Sequence, residues 1–108
     1  MSYKATHKFA RISARKVRPL ASLVRGKYAD EALDILRYMP QRGARLLEKV
    51  IKSALGNAED LRATNVGDLQ IKDCRIDGGP MIKRIQPQAR GMAFVIRRRM
   101  AHISVELE

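Results

Sequence analysis

Apolar residues recur every three or four positions in three stretches of the chain, a spacing that places them on one face of an α-helix. The first stretch follows Ser13, a residue type that often caps a helix N-terminus, and it ends before Gly26. Pro19 lies inside this stretch and should kink the helix unless it falls within the first turns. The pattern predicts a first helix of about three turns. Its apolar positions are Val17, Leu20, Ala21 and Val24.

The second and third stretches predict two more helices. Asp30 is expected to cap the second helix, with Glu31 in its first turn and Pro40 at its end. The third and longest helix is predicted from about Gln41 to Leu61. Gly56 is a weak spot within it, costing on the order of 1 kcal/mol relative to Ala unless another helix packs closely there.

Strand patterns flank the helices. The chain ends in an alternation of apolar and polar residues that is typical of a half-buried strand, with Ile103, Val105 and Leu107 as the apolar set. An earlier alternation changes phase between Ile71 and Cys74, which predicts either a β-bulge or a strand that is partly covered on both faces. Gly78, Gly79 and Pro80 are expected to break that strand. Residues 3–12 also have β-type character.

These elements predict the α+β class, with three helices packed on a small antiparallel sheet. The length of 108 residues predicts a single domain over 1–108. The apolar content of 45% is ordinary for a globular protein and argues against a disordered basic tail.

The segment from about 80 to 102 is predicted to form one long, protruding β-hairpin. Its apolar residues suit strands, and residues 88–91 make a plausible turn in which Gly91 is free to take a positive φ. Arms of roughly eight to ten residues would reach about 30 Å from the body, so a partner should be needed to order them. The alternative is a flexible basic loop, against which the many β-branched residues argue.

Acidic residues are confined to the middle of the chain and to its last three residues. Residues 1–29 carry eight Lys and Arg, and residues 78–105 carry six, with no Asp or Glu in either tract. Residues 30–77 are balanced, with eight basic and nine acidic residues, so the net charge of +11 belongs to the flanks. Because like charges repel, a polyanion is expected against the two acid-free tracts, and nucleic acid is the simplest one.

The mode of binding follows from what the chain lacks. It has five aromatic residues and no Trp, so phosphate contacts by Lys and Arg are expected in place of base stacking. Two classes stay open: a component of a ribonucleoprotein, and a DNA-binding regulator that uses the second and third helices as a helix-turn-helix. Arg42 and Arg45 fit a recognition helix weakly. Glu48, Glu59 and Asp60 leave that helix near charge balance, which favours the ribonucleoprotein.

No constellation of residues predicts catalysis, a cofactor or a metal site. The candidates are His7, His102 and Cys74, and the cysteine lies in a predicted strand, where a small buried apolar role is expected. A lone cysteine fits a reducing compartment. No apolar run approaches the roughly 20 residues of a membrane span, and the first residues do not resemble a signal peptide. A cytoplasmic protein that is not an enzyme and meets no membrane is expected.

Several motifs, in order along the chain, resemble one family. Residues 83–91 read KRIQPQARG, and residues 102–105 read HISV. The helical part adds SARKVR at 13–18, LVRGK at 23–27, ALDIL at 32–36, KVIKSA at 49–54 and NAE at 57–59. Together these motifs closely resemble the L-twenty-two family of large-subunit ribosomal proteins, in its bacterial form, over nearly the whole chain. Gln88 and Met92 depart from the pattern, because the family usually has basic residues there.

The resemblance implies a structural constituent of the large ribosomal subunit, without a cofactor, that binds large-subunit ribosomal RNA and supports early subunit assembly. It also implies that the hairpin lines the nascent-peptide exit tunnel, where it would meet neighbouring ribosomal proteins and the nascent polypeptide. The tip expected to line the tunnel consists of Arg90, Gly91, Met92 and Ala93. Charge and resemblance together predict RNA binding by Lys4, Lys8, Arg11, Ser13, Arg15, Lys16, Arg18, Arg25, Lys27, Lys83, Arg84, Gln88, Arg90, Arg97, Arg98, Arg99 and His102.

Overall fold

The computed structural model describes residues 2–87 and 89–108. Over these ranges the chain forms three α-helices and three strands, joined by short connections that include 3-10 turns at Val66–Asp68 and Ala89–Gly91. In chain order the elements are β1 (Tyr3–Ala10), α1 (Ala14–Val24), α2 (Ala29–Arg37), α3 (Arg42–Asp60), β2 (Ile71–Pro87) and β3 (Ala93–Leu107).

The strands form one antiparallel sheet in the order β1-β3-β2, so β3 is the central strand. Helices α1 and α3 pack on the sheet, and α2 packs against α3. The inner half of β3 alternates strictly, with every second residue buried, as the period of a strand covered on one face requires. The α+β class and the helix-on-sheet arrangement are therefore confirmed. The largest buried side chains of the core are Leu36, Leu47, Ile51, Leu69, Ile71, Ile103 and Leu107.

The first helix begins as the sequence predicted. The Ser13 side chain accepts a hydrogen bond from the Arg15 backbone N–H at 3.3 Å and so caps α1. Pro19 is the sixth residue of the helix, and the helix runs past it to Val24. Gly26 follows with a φ of +85°, which suits a chain reversal after the helix end.

The prediction that Asp30 caps the second helix is wrong. The N-cap is Tyr28, and Asp30 lies with Glu31 inside the first turn of α2, where the helix dipole still favours both carboxylates. Tertiary contacts set this start: the Ala29 N–H donates to the Leu69 carbonyl at 2.9 Å, and Tyr28 forms an isolated bridge with Gln70. These partners satisfy backbone groups that a capping side chain would otherwise serve.

The third helix follows its predicted bounds to within one residue at each end. Its two glycines differ in how closely other residues pack against them. An ideal Cβ at Gly43 would lie 3.2 Å from the Leu20 side chain, 3.3 Å from Val17 and 3.4 Å from Ile12. At Gly56 no described atom comes within 4 Å of such a Cβ. The small residue at position 43 therefore lets the first turn of α3 lie directly against α1 and the chain before it.

The prediction that Gly78, Gly79 and Pro80 break the second strand is also wrong. Strand β2 continues through them, and its register with β3 shifts between Gly78 and Met81. An ideal Cβ at Gly79 would lie 3.2 Å from the Met100 carbonyl oxygen, so the two backbones approach closely at this irregularity. The bulge predicted earlier in the strand is confirmed by a register shift between Ile71 and Asp73.

Cys74 is fully buried in β2, as predicted for a small apolar residue. Burial raises the pKa of the thiol to about 11, with smaller opposing and supporting effects from the charges of Arg25 and Asp73. The thiolate, which is the reactive form, is therefore scarce at neutral pH.

Beyond the register shift, β2 and β3 leave the body as a two-stranded ribbon. Pairs run from Met81 with Arg99 to Pro87 with Ala93, and the molecule measures 64 × 25 × 16 Å as a result. Apolar side chains on the ribbon stay exposed, as they would on any two-stranded element without a covering layer. The predicted protruding hairpin is thus confirmed. Its exposed large apolar residues include Met81, Ile82, Ile85, Met92, Phe94 and Val95.

We expect Gly43→Val to lower the free energy of unfolding by about 1–3 kcal/mol, because the added methyl groups overpack the contact with Val17 and Leu20. Gly56→Ala in the same helix is the matched control, and we expect it to raise the free energy of unfolding by about 0.5–1 kcal/mol through helix propensity. Urea unfolding followed by circular dichroism measures both changes. Equal stabilities for the two variants would contradict the packing at Gly43.

Candidate nucleic-acid interface

A groove of about 880 Å³ opens where three parts of the fold meet. The parts are the N-terminal end of α1 with the residues before it, the N-terminal end of α3, and the base of the hairpin. Its described lining residues are Arg11, Ile12, Ser13, Arg15, Lys16, Pro19, Gln41, Arg42, Gly43, Ile82, Arg84, Arg97, Arg98, Arg99 and Met100.

The described lining of the groove carries eight basic residues and no acidic one. Seven of them come from the two acid-free tracts, which are far apart in sequence but meet here in space. No acidic residue occupies the first turn of α1 or of α3, so the positive ends of both helix dipoles add to the same field. The basic set is Arg11, Arg15, Lys16, Arg42, Arg84, Arg97, Arg98 and Arg99.

Local packing explains why these residues meet. The close contact at Gly43 brings the start of α3 beside Ile12 and Val17, and hence beside the basic residues that surround them in sequence. The hairpin base enters the groove because α1 packs against β2 and β3. Ile82 pairs with Arg98 across the ribbon, and paired residues share a face, so they reach the groove together.

Among the basic residues in the described lining, Arg42 is the one that the sequence did not predict to bind RNA. It lies within residues 30–77, where basic and acidic residues are nearly equal in number, so the charge distribution along the sequence does not single it out. A local signal was present, because it is the first residue of a helix whose first turn lacks an acid. Only the packing of α3 against α1 shows that Arg42 joins the basic tract of the N-terminus.

Two predicted RNA-binding arginines serve the fold. Arg18 donates through Nε to the Ile76 carbonyl at 3.3 Å, and Arg25 donates through Nη2 to the Cys74 carbonyl at 2.5 Å. Both carbonyls belong to β2, an edge strand of the sheet. Carbonyls on a free edge need partners, and these guanidinium groups supply them.

His102 also has an internal partner. Its Nδ1 accepts a hydrogen bond from the Phe9 N–H at 3.0 Å, and the two rings meet edge to face with centroids 5.0 Å apart. Phe9 has a φ of +60° at the register shift of β1, so His102 supports an irregular backbone. In a neutral imidazole that accepts at Nδ1, the ring proton is on Nε2.

The other predicted residues are spread over the surface. Lys4 and Lys8 are exposed on β1, Lys27 is half-buried after α1, and Lys83 is exposed on the ribbon. None of these four lines the groove described above. The prediction for Gln88 lies outside the described residues.

The hairpin tip has the turn that the sequence predicted. Gly91 has a φ of +69°, and Arg90 has a φ of +64°, a left-handed conformation that is uncommon for a residue with a Cβ. Arg90, Met92 and Ala93 are all exposed, and Ala93 pairs with Pro87 to begin the return strand. The four residues of the tip therefore present one positive charge and the exposed apolar side chains of Met92 and Ala93.

The helix-turn-helix alternative finds no support in the position of Arg45. Its guanidinium donates to the carbonyls of Leu36, Arg37 and Met39 at 2.5–3.0 Å, and it pairs with Glu48 at 2.8 Å. These bonds satisfy the carbonyls of the last two residues of α2 and that of Met39 just beyond it. A side chain held in this way is not available to read base edges.

In the described part of the chain, no helix is both long enough and apolar enough to cross a membrane.

The fold and the groove together give this protein a basic surface and a projecting ribbon, features that suit a polyanionic partner. The model of the family described as "Ribosomal protein L22p/L17e" matches residues 5–108, and the chain belongs to this family. The resemblance in the motifs is thus confirmed.

Three relatives, each called "Large ribosomal subunit protein uL22", illustrate the likeness. The protein of Rhodopirellula baltica is 63% identical over 110 residues, covering 97% of this chain and 92% of the relative. That of Caldicellulosiruptor saccharolyticus is 51% identical over 104 residues, covering 96% and 85%. That of Desulfotalea psychrophila is 46% identical over 108 residues, covering 100% and 98%.

The division of roles among the arginines is testable. We expect Arg25→Ala to lower the free energy of unfolding by about 1–2 kcal/mol, because the Cys74 carbonyl loses a charged donor. Arg15→Ala, at an exposed position in the groove, should leave unfolding unchanged within about 0.5 kcal/mol and should weaken RNA binding. Chemical unfolding and filter binding of the two variants would decide, and an unchanged stability of Arg25→Ala would contradict the structural role.

Proposed function

We propose that this protein is a structural constituent of the large ribosomal subunit, acting in the cytoplasm within the ribosome. It binds large-subunit ribosomal RNA, supports early subunit assembly and catalyses no reaction. Membership of the family supports this role. The observation that carries it is the meeting of two acid-free tracts, from opposite ends of the sequence, in one groove with eight basic residues.

The physical basis of RNA binding is the release of counterions from phosphates. Each Lys or Arg that neutralises a phosphate frees condensed cations, and exposed side chains do so without a large desolvation cost. Eight cations in one groove repel one another in the free protein. RNA relieves that repulsion and, in addition, bridges the body and the hairpin.

Within the predicted set, two kinds of contribution are proposed. The residues proposed to contact RNA directly are Lys4, Lys8, Arg11, Arg15, Lys16, Lys27, Lys83, Arg84, Arg90, Arg97, Arg98 and Arg99, together with Gln88. Those proposed to act mainly by holding the binding surface in shape are Ser13, Arg18, Arg25 and His102, since each has a partner within the fold.

The hairpin is proposed to pass through ribosomal RNA and to line the nascent-peptide exit tunnel. Its length and exposed apolar residues support this, because an isolated ribbon of this kind needs a partner along its whole surface. Arg90, Gly91, Met92 and Ala93 would face the nascent polypeptide and neighbouring ribosomal proteins. Because Arg90 is the one charged residue of the tip, the tip should bind the nascent polypeptide only weakly.

RNA binding should depend steeply on salt. We expect that replacing Arg97, Arg98 and Arg99 together by Ala makes the slope of log affinity against log salt less negative by roughly 2–3, because up to three phosphate contacts are lost. Filter binding of large-subunit ribosomal RNA over a salt series provides the measurement.

Arg37→Ala is the control for that experiment, because Arg37 is an exposed arginine on α2, outside the groove. It should leave the slope unchanged. A slope near zero for the unsubstituted protein would refute the counterion mechanism, and an equal effect of both variants would show that the groove has no special part in binding.

Gly91→Val tests the position of the tip. The substitution forces a β-branched residue to a φ of +69°, which costs roughly 1–2 kcal/mol locally, and adds bulk where no described atom lies within 4 Å. We expect the variant to keep its melting temperature and to enter the large subunit, but to alter the passage of tunnel-sensitive nascent chains. A melting temperature lower by several degrees would count against a projecting turn.

A further inference from the structure

The groove contains an apolar part that phosphate binding does not explain. Four apolar side chains line it: Ile12 is buried, Met100 is half-buried, and Ile82 and Pro19 are exposed. A groove that met only phosphates would gain nothing from these four residues, because apolar surface beside water is unfavourable.

The charged residues surround this apolar part. Arg84 and Arg98 share the ribbon face of Ile82, and Arg15 and Arg42 lie in the first turns of α1 and α3. All four arginines are exposed, whereas Ile12 is buried and Met100 is half-buried. A ligand that fits must therefore carry negative charge outside and an apolar or aromatic group inside.

A nucleotide has this distribution of properties only when it is unpaired. In an RNA duplex the bases are stacked within the helix and present phosphates and sugars to a protein, whereas an unstacked base can leave the helix and enter a pocket. The volume of about 880 Å³ falls within the range of roughly 300–1,000 Å³ that is typical of pockets for small organic groups.

We propose that this groove holds one unpaired, extruded nucleotide of the RNA, with its base against Ile82 and Met100 and its flanking phosphates on the surrounding arginines. The inference rests on the proposed function, since it takes ribosomal RNA as the partner. The described lining has no aromatic side chain, so guanidinium planes and apolar side chains take the place of an aromatic stacking partner.

Ile82→Cys provides the test in the assembled particle. The native Cys74 is fully buried, so a thiol-reactive photo-crosslinker attaches selectively at position 82 of the folded protein. Large subunits reconstituted with the labelled variant are irradiated, and reverse transcription maps the crosslinked nucleotide. Chemical probing of the same subunits shows whether that nucleotide is base-paired. Lys52→Cys, on an exposed part of α3 outside the groove, is the matched control.

The expected result is a dominant crosslink to one unpaired nucleotide, absent from the Lys52→Cys particle. Crosslinks confined to base-paired nucleotides, or no crosslink from position 82 in particles that contain the protein, would overturn the proposal and leave the proposed function standing. Failure of the unsubstituted protein to enter the particle or bind ribosomal RNA would instead refute the proposed function.

A second measurement separates base contact from charge. Ile82→Gln should lower the affinity for an RNA segment that contains the crosslinked nucleotide by about 5–10-fold without changing the salt slope, because no charge is removed. Arg42→Gln should lower the affinity and also make the slope less negative by about one. Equal binding of the same segment with an abasic residue at that position would overturn the proposal.

Discussion

The pairing of β2 with β3 runs from the centre of the sheet to the tip of the hairpin, and the rest of the structure depends on it. In the body, Ile76 pairs with Ile103, and both are buried beneath the helices. Farther out, the same two strands have no covering layer, and an isolated ribbon would be marginal in water. Burial of apolar residues in the body therefore fixes the direction in which β2 and β3 leave it as a ribbon. The register shift between Gly78 and Met81 marks the point where burial gives way to solvent.

The eight basic residues that line the groove repel one another, and this repulsion lowers the stability of the free protein. Two unit charges 4 Å apart repel by about 1 kcal/mol in water and by more near a protein surface. Keeping the groove cations exposed limits that cost, and the apolar contacts of α1 with α3 at Gly43 hold the two helix ends together against it. Salt screens part of this repulsion, and a polyanion in the groove would relieve more of it. Stability and binding are thus linked through one charged surface.

Much of the fold could be predicted because local patterns and tertiary packing agree along most of the chain. The apolar period of α3 gave its bounds to within one residue, and the alternation from Ile103 to Leu107 correctly placed a half-buried strand at the end of the chain. The prediction failed where a tertiary contact outweighed a local preference. At the start of α2, the Leu69 carbonyl accepts from the Ala29 N–H, and no side chain caps the helix. At Gly79, the backbones of β2 and β3 approach closely, and β2 continues through three residues that are poor strand formers. For a similar reason, the sequence indicated Arg42 only for a recognition helix and not for RNA binding, since its place in the groove depends on the packing of α3 against α1.

Charge alone could not separate the arginines that line the groove from those that hold the fold. Seven of the fourteen basic residues in the acid-free tracts line the groove. Arg25 instead serves a carbonyl on the edge of β2, and Arg45, from the balanced middle, serves the carbonyls at the end of α2. Sheet edges and helix C-termini leave such acceptors unsatisfied, and a guanidinium with five donors is well suited to them. A basic residue close to either feature is therefore a weaker candidate for RNA contact than one at a helix N-terminus, where the backbone offers donors and no acceptors.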